Sequence, residues 1–173
     1  MRERARATDC GPYGRVSTSS SPGCLFCQRM ESRKELDERT VYEDEFFHVA
    51  HQTTEEERTV LGILLVQAIR HVSDLGSLTD AEAARLGTVI STVSRALQQC
   101  TGAAWTYCFG FTEAYRHVHL VLAARYPDLP SRYVRLALAD WPQAPRGGRG
   151  KVAELCRRLR QAIGNRPGPR RAF

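Results

Sequence analysis

The sequence predicts an α+β domain: a mainly antiparallel sheet with one long packed helix and a second helix near the C-terminal end. Three patterns in the chain carry that expectation. Segments of strand length and strand composition occur between residues 40 and 67 and again between 104 and 123. A capped, amphipathic helix separates the two groups. A further amphipathic stripe follows the last strand.

Thr40-Val-Tyr42 and Glu45-Phe-Phe-His-Val-Ala50 read as two short strands, with the turn-like Glu43-Asp44 between them. A charged turn follows, Thr53-Thr-Glu-Glu-Glu-Arg58. Val60-Leu-Gly-Ile-Leu-Leu-Val-Gln67 is a continuous apolar run, expected as one buried strand. Thr79-Asp-Ala-Glu82 has the form of a capping box, in which the Thr hydroxyl and the Glu carboxylate satisfy free amides at a helix start. Leu86, Val89, Ile90, Val93, Leu97 and Cys100 then make one apolar stripe, and Gly102 is placed to stop the helix. Residues 104–111 form an aromatic-rich strand and 117–123 another. Tyr126-Pro-Asp-Leu-Pro130 breaks the second, and Trp141-Pro-Gln-Ala-Pro-Arg-Gly-Gly148 is expected to be a loop. The last helix starts near Lys151, with Val152, Leu155, Cys156, Leu159 and Ile163 on one face.

The 173 residues are 42% hydrophobic and 25% charged, which supports one core and excludes disorder of the whole chain. The formal net charge of +6 is unevenly placed. Arg2, Arg4, Arg6 and Arg15 stand against Glu3 and Asp9 in residues 1–23, and Arg166, Arg170 and Arg171 face no acid in 165–173. Five of the six surplus charges therefore lie on Gly-, Pro- and Ser-rich ends, expected to be disordered basic tails. The domain between them, 24–164, is nearly neutral, so no specific nucleic-acid face is expected. No apolar run approaches the ~20 residues that span a bilayer, and no secretory signal is visible, so no membrane partner is expected. The six cysteines are then read in a reduced, cytoplasmic setting, where Cys pairs point to metal or redox chemistry.

Two features carry chemistry. In Arg116-His117-Val118-His119-Leu120-Val121-Leu122, alternation puts His117 and His119 on one face, roughly 7 Å apart, with Val118, Leu120 and Leu122 on the other. Cys24-Leu-Phe-Cys27 has the spacing that fills two corners of a tetrahedral zinc. A thioredoxin-like redox pair and unrelated buried thiols are the competing readings. The remaining two ligands are not decided by spacing; His117 and His71, at the end of the 60–67 strand, are available.

In this order, from Cys24 to Ala123, the pieces resemble the histidine triad superfamily of nucleotide hydrolases and transferases. Its zinc-bearing members begin with a Cys-x-x-Cys like Cys24-Leu-Phe-Cys27 and continue with a segment like Val41-Tyr-Glu-Asp-Glu45. Gly62-Ile-Leu-Leu-Val-Gln-Ala-Ile-Arg-His71 aligns without a gap to their strand that opens with Gly and closes with a basic residue and His. They end in a His-x-His-x-His strand followed by Arg, like His117 to Arg125. A weaker likeness continues through 141–148 to the last helix. The resemblance implies zinc ligands Cys24, Cys27, His71 and His117, with the zinc structural. It implies that His119 is the nucleophile, forming a nucleotidyl-histidine at an α-phosphate that water or another acceptor resolves. It implies a small-molecule substrate such as a nucleotide, and family members often pair as homodimers.

Several positions depart from that pattern. The third triad position is Val121, where the family has His or Gln; valine donates no hydrogen bond. Glu113 falls close to a usual phosphate-facing Gln, Gln52 near a usual ribose-binding acid, and Ile63 replaces a usual His. Arg116 and Arg125 are the cations near the motif that could compensate for lost phosphate donors, with surface salt-bridging as the competing reading of both. Two alternatives follow. One is an enzyme of this fold turned to non-phosphate chemistry, a tailoring step on a small molecule, with His119 as acid or base and His51, Gln52, Tyr107, Glu113 and Tyr115 lining an aromatic pocket. The other is a non-catalytic, zinc-stabilised binding module.

Overall fold

The computed structural model describes residues 21, 23–31, 38–52, 59–110 and 115–164. Most of both basic ends, the charged turn 53–58 and Glu113 lie outside the described residues. A short helix α1, Leu25–Glu31, leads into β1, Thr40–Glu43, and β2, Phe47–His51. Next come β3, Thr59–Val60, β4, Ile63–Ala68, and the long helix α2, Asp80–Thr101. The second half holds β5, Trp105–Phe109, β6, His119–Arg125, β7, Arg146–Gly147, and α3, Arg149–Gly164. Five strands form one antiparallel sheet in the order β1-β2-β4-β6-β5, and β3 pairs with β7 in a separate two-stranded ribbon.

Helix α2 begins where the capping box places it. The Thr79 hydroxyl accepts from the Glu82 amide at 3.2 Å, and the Glu82 carboxylate accepts from the Thr79 amide at 2.7 Å. It ends at Gly102, whose φ of 71° is left-handed and whose amide closes on the Gln98 carbonyl. Leu86, Val89, Val93, Ala96 and Leu97 are buried against the sheet face that carries Leu64, Val66 and Leu122. Each such Leu or Val side chain removed from water contributes about 1.5–3 kcal/mol. Helix α3 packs on α2 and runs along the β1 edge, where Arg160 donates to the Thr40 carbonyl. Among the described residues no helix is long and apolar enough to cross a membrane.

Three elements differ from the sequence expectation. The apolar run 60–67 is broken, because Gly62 has φ 82°, which turns the chain between β3 and β4. A Cβ at Gly62 would lie 2.8 Å from the Ala124 Cβ, so close packing as well as the backbone requires glycine. The strand at 117–123 is shifted: β6 starts at His119 and continues to Arg125, with His117 just ahead of it. Residues 146–147, expected in a loop, form the β7 half of the small ribbon.

The register decides which side chains share a face. His48, Gln67 and His119 form one cross-strand row, and Ala50, Leu65 and Val121 form the next. Both rows lie on the face opposite α2. His51, Leu64 and Leu122 belong to the α2 face.

Candidate functional site

Four side chains from three segments converge beside α1. Cys24 precedes the helix and Cys27 lies in its first turn. His71 follows β4, and His117 precedes β6. Cys24 Sγ is 3.3 Å and Cys27 Sγ 3.7 Å from His117 Nδ1, and Cys27 Sγ is 3.4 Å from His71 Nδ1. All four donor atoms lie within 4.8 Å of one another. A tetrahedral zinc, with bonds of ~2.3 Å to sulfur and ~2.0 Å to nitrogen, sets sulfur and nitrogen donors about 3.5 Å apart. The observed spacings match that geometry, and two thiols with two imidazoles are a donor set that zinc prefers.

The surroundings orient these donors. His117 Nε2 donates to the Ala68 carbonyl at 2.8 Å, which leaves the Nδ1 lone pair facing the thiols. His117 is fully buried, and burial pushes its imidazole below the ordinary value, towards the neutral form a metal needs. Val118 donates its amide to the Val72 carbonyl and its carbonyl accepts from Ala68, tying the His71 loop to the chain after His117. Arg70, next to His71, makes two bonds to the buried Glu82 carboxylate, at 2.8 and 2.7 Å, and so fixes this loop to the start of α2.

His119 stands one step further along β6. Its Nδ1 lies 2.7 Å from the His117 carbonyl. A carbonyl only accepts, so Nδ1 carries the proton and Nε2 holds the lone pair. Phe26 of α1 stacks on the His119 ring, with centroids 4.4 Å apart and planes 23° apart, and also on His117 at 5.3 Å.

His119 lines a cavity of 330 Å³. Its floor is the apolar row Ala50, Leu65 and Val121, and its roof is the face of α1 carrying Leu25, Phe26 and Arg29. Tyr115, Gln52 and Arg39 complete the wall. The structure therefore brings Gln52 and Tyr115 to the same cavity as His119.

Other predicted pocket residues are placed differently. His51 borders the cavity, but its imidazole points to the α2 face. There Nδ1 donates to the Gln52 carbonyl at 2.7 Å and Nε2 accepts from the Gly62 amide at 2.9 Å. Burial lowers its pKa to about 4, so this histidine is a neutral pin for the Gly62 turn. Tyr107 shares the His119 face but pairs with Ala123 near the β5 edge, packs on the core, and is not among the lining residues. Arg125 lies over the Trp105 ring at 4.4 Å and donates to the Tyr126 and Pro127 carbonyls, and Arg116 is exposed; neither lines the cavity. Arg29 and Arg39 do. Their only sequence signal is position: Arg29 is three residues beyond Phe26 on α1, and Arg39 immediately precedes β1.

No family model and no curated protein matches the chain by sequence. Solved structures do match by shape. A Hit-like protein involved in cell-cycle regulation from Bartonella henselae superposes with a TM-score of 0.60 at 15% identity, covering 83% of this chain and 99% of that one. A zinc-bound histidine triad family protein from Mycobacterium smegmatis gives 0.58 at 20% identity, with coverage of 82% and 94%. A uridylyltransferase gives 0.55 at 20% identity, covering 82% of this chain and 45% of the other. These likenesses in shape show that the fold of this chain is the histidine triad fold.

Proposed function

We infer that this protein is a nucleotide hydrolase or nucleotidyltransferase that works at an α-phosphate through His119, on a scaffold held by a structural zinc. One observation carries the reading. The His119 Nδ1–H bond to the His117 carbonyl leaves Nε2 as a free nucleophile on a cavity lined by two arginines and, among the described residues, by no carboxylate.

In the first step Nε2 attacks phosphorus. A P–N bond forms as the bond to the leaving group breaks, and the leaving group takes a proton from solvent. Nδ1 keeps its proton, and the His117 carbonyl steadies the positive charge that grows on the ring. Water or another acceptor then attacks phosphorus, the P–N bond breaks with its electrons returning to Nε2, and the attacking oxygen loses its proton to solvent. Phe26 keeps the imidazole plane fixed and shields one side of it from water. Bound zinc supplies structure rather than chemistry, since four protein donors leave no open position. Cys24, Cys27, His71 and His117 would hold it.

A second reading, acid–base chemistry by His119 on a non-phosphate small molecule, is favoured by Val121, which faces the cavity and offers no donor to a phosphoryl oxygen. One experiment separates the two. The zinc-loaded protein is incubated with a nucleoside phosphoramidate, quenched, and examined by mass spectrometry. The phosphate reading expects a nucleotidyl adduct on His119 and a rate loss of about a thousandfold or more in His119→Ala. Turnover of a small molecule by His119 without a phosphorus adduct would favour the second reading.

A further inference from the structure

The floor of the cavity lacks a donor where the chemistry at His119 needs one. Val121 lies two residues along β6 from His119, on the same face, and offers no hydrogen to a phosphoryl oxygen. Phosphoryl transfer spreads negative charge over the oxygens that neither attack nor leave, so a fixed donor there lowers the barrier. His119 does not supply it. Its Nδ1 proton is held by the His117 carbonyl, and its Nε2 carries the attacking lone pair.

Most other polar side chains of the cavity are already engaged. Both ring nitrogens of His51 are used, by the Gln52 carbonyl and the Gly62 amide. Arg29 and Arg39 each have partners within the protein. Gln52 follows β2, and β4 stands between β2 and β6, so two strand spacings, about 10 Å, separate its backbone from the strand of His119. Tyr115 is different. It is half exposed and lines the cavity. Its interactions with the described residues are the Phe26 ring and the His117 amide, and neither engages its hydroxyl.

Two contacts place Tyr115 beside His119. Its ring stands edge-on to Phe26, with centroids 5.7 Å apart and planes 83° apart, and the same Phe26 ring stacks on His119 at 4.4 Å. Two rings set against one ring lie no farther apart than those distances laid end to end. The Tyr115 carbonyl accepts from the His117 amide at 2.8 Å, which ties its backbone to the residue that leads into β6. In an attacking pose phosphorus sits ~3–3.5 Å from Nε2, and a hydroxyl meets a phosphoryl oxygen at ~2.7 Å. A donor on a ring that shares Phe26 with His119 works on that scale.

We propose that Tyr115 is a second catalytic residue, whose hydroxyl donates a hydrogen bond to a non-bridging oxygen of the phosphoryl group that His119 attacks. This rests on the reading of His119 as a nucleophile at phosphorus. Tyr115 supplies the donor that Val121 does not. It keeps its proton throughout, and no covalent bond to it forms or breaks. Its hydrogen bond tightens as charge grows on the oxygen in each displacement.

The test uses the full zinc-loaded chain and adenosine 5′-phosphoramidate, with the Rp and Sp phosphorothioate diastereomers of that substrate. In these, sulfur, a weak acceptor, replaces one or the other non-bridging oxygen. Tyr115→Phe removes the hydroxyl and keeps the ring. It is expected to lower kcat by about tenfold to a hundredfold, with KM changed less than about threefold. In the wild type, the diastereomer that turns sulfur towards Tyr115 is expected to react at least about tenfold slower than the other. In Tyr115→Phe that ratio is expected to fall to about threefold or less, whereas a merely structural role slows both diastereomers alike. Arg157→Gln, an exposed charge paired with Glu154 on α3, is expected to match the wild type. Zinc content and far-ultraviolet circular dichroism establish that each variant is folded.

Wild-type kcat in Tyr115→Phe would overturn the proposal. So would a slower variant that keeps the wild-type ratio, or diastereomers that react alike in the wild type. Failure of the His119 reading looks different: the wild type neither releases adenosine 5′-phosphate nor carries an adduct on His119, and both claims fall together. Turnover that His119→Ala abolishes and Tyr115→Phe leaves untouched removes Tyr115 alone.

Discussion

Phe26 lies nearly parallel to His119, ring centroid to ring centroid 4.4 Å. The stack joins α1, which carries Cys27, to β6, which carries His119. Contacts of this kind hold a reacting group in the orientation it needs. Phe26→Leu keeps apolar volume but removes the flat surface. It is expected to lower kcat by about tenfold while zinc content stays near wild type. Unchanged kcat in a fully metal-loaded Phe26→Leu protein would show that the stack positions nothing.

Metal analysis of the purified wild type is expected to give one zinc per chain, and Cys24→Ala to lose most of it. Removing one of four ligands also leaves Cys27 as a buried thiol whose pKa burial raises, which further weakens the remaining site. The melting temperature should fall on chelation in the wild type and change little in Cys24→Ala. A Cys24→Ala protein that binds zinc as the wild type does would remove this cysteine from the site.

Stability should depend on pH through His51. Its folded pKa is about 4, against an unfolded value of ~6.5. Between those values the unfolded chain holds more protons than the folded one, so the contribution is complete above about pH 6.5 and is lost as pH falls towards 4. The whole shift corresponds to about 3 kcal/mol. Urea denaturation of wild type and His51→Gln at roughly pH 7 and pH 4.5 isolates it, because zinc release affects both proteins alike. The wild type is expected to lose about 2 kcal/mol more than the variant over that interval. Parallel losses would place the acid sensitivity elsewhere.

Gln67 is 3% exposed and its Nε2 has no hydrogen-bond partner. A buried donor left unmatched costs about 1–3 kcal/mol. Gln67→Leu, of similar volume, is therefore expected to raise unfolding free energy by about 1 kcal/mol. Since Gln67 sits between His48 and His119 in one cross-strand row, turnover is measured alongside stability. A destabilised Gln67→Leu protein would mean that the amide finds a partner in solution.

These predictions draw on features of unequal visibility in the amino-acid order. Helix α2 was legible in full, because Thr79, Glu82 and Gly102 act on their own neighbours and the apolar stripe between them has a fixed period. The metal cluster was legible as a set of residues, but His71 and His117 are brought together by long-range bonds, Val118 to Val72 and Ala68 to Val118, that the sequence does not display. Helix α1 left no trace. Its seven residues carry too little amphipathic pattern to stand out from the polar stretch that follows. The turn at Gly62 was hidden in a continuous apolar run, since a single glycine interrupts hydrophobicity very little. The side of the sheet that His51 occupies depends on strand register, and a shift of one residue exchanges the faces. Arg29 and Arg39 carry no motif signal, whereas Arg116 and Arg125 flank the histidine motif in sequence and do not line the cavity.

Seven residues are too few for a helix to persist in water without outside support. In α1 the support and the purpose sit side by side: Cys27 belongs to the metal cluster, and Phe26 and Arg29 belong to the cavity roof. Inheritance binds them together. Substituting either cysteine is therefore expected to loosen the cavity roof together with the proposed metal site. A metal-free descendant would have to recruit a new wall from elsewhere in the chain before it could recognise the same molecule.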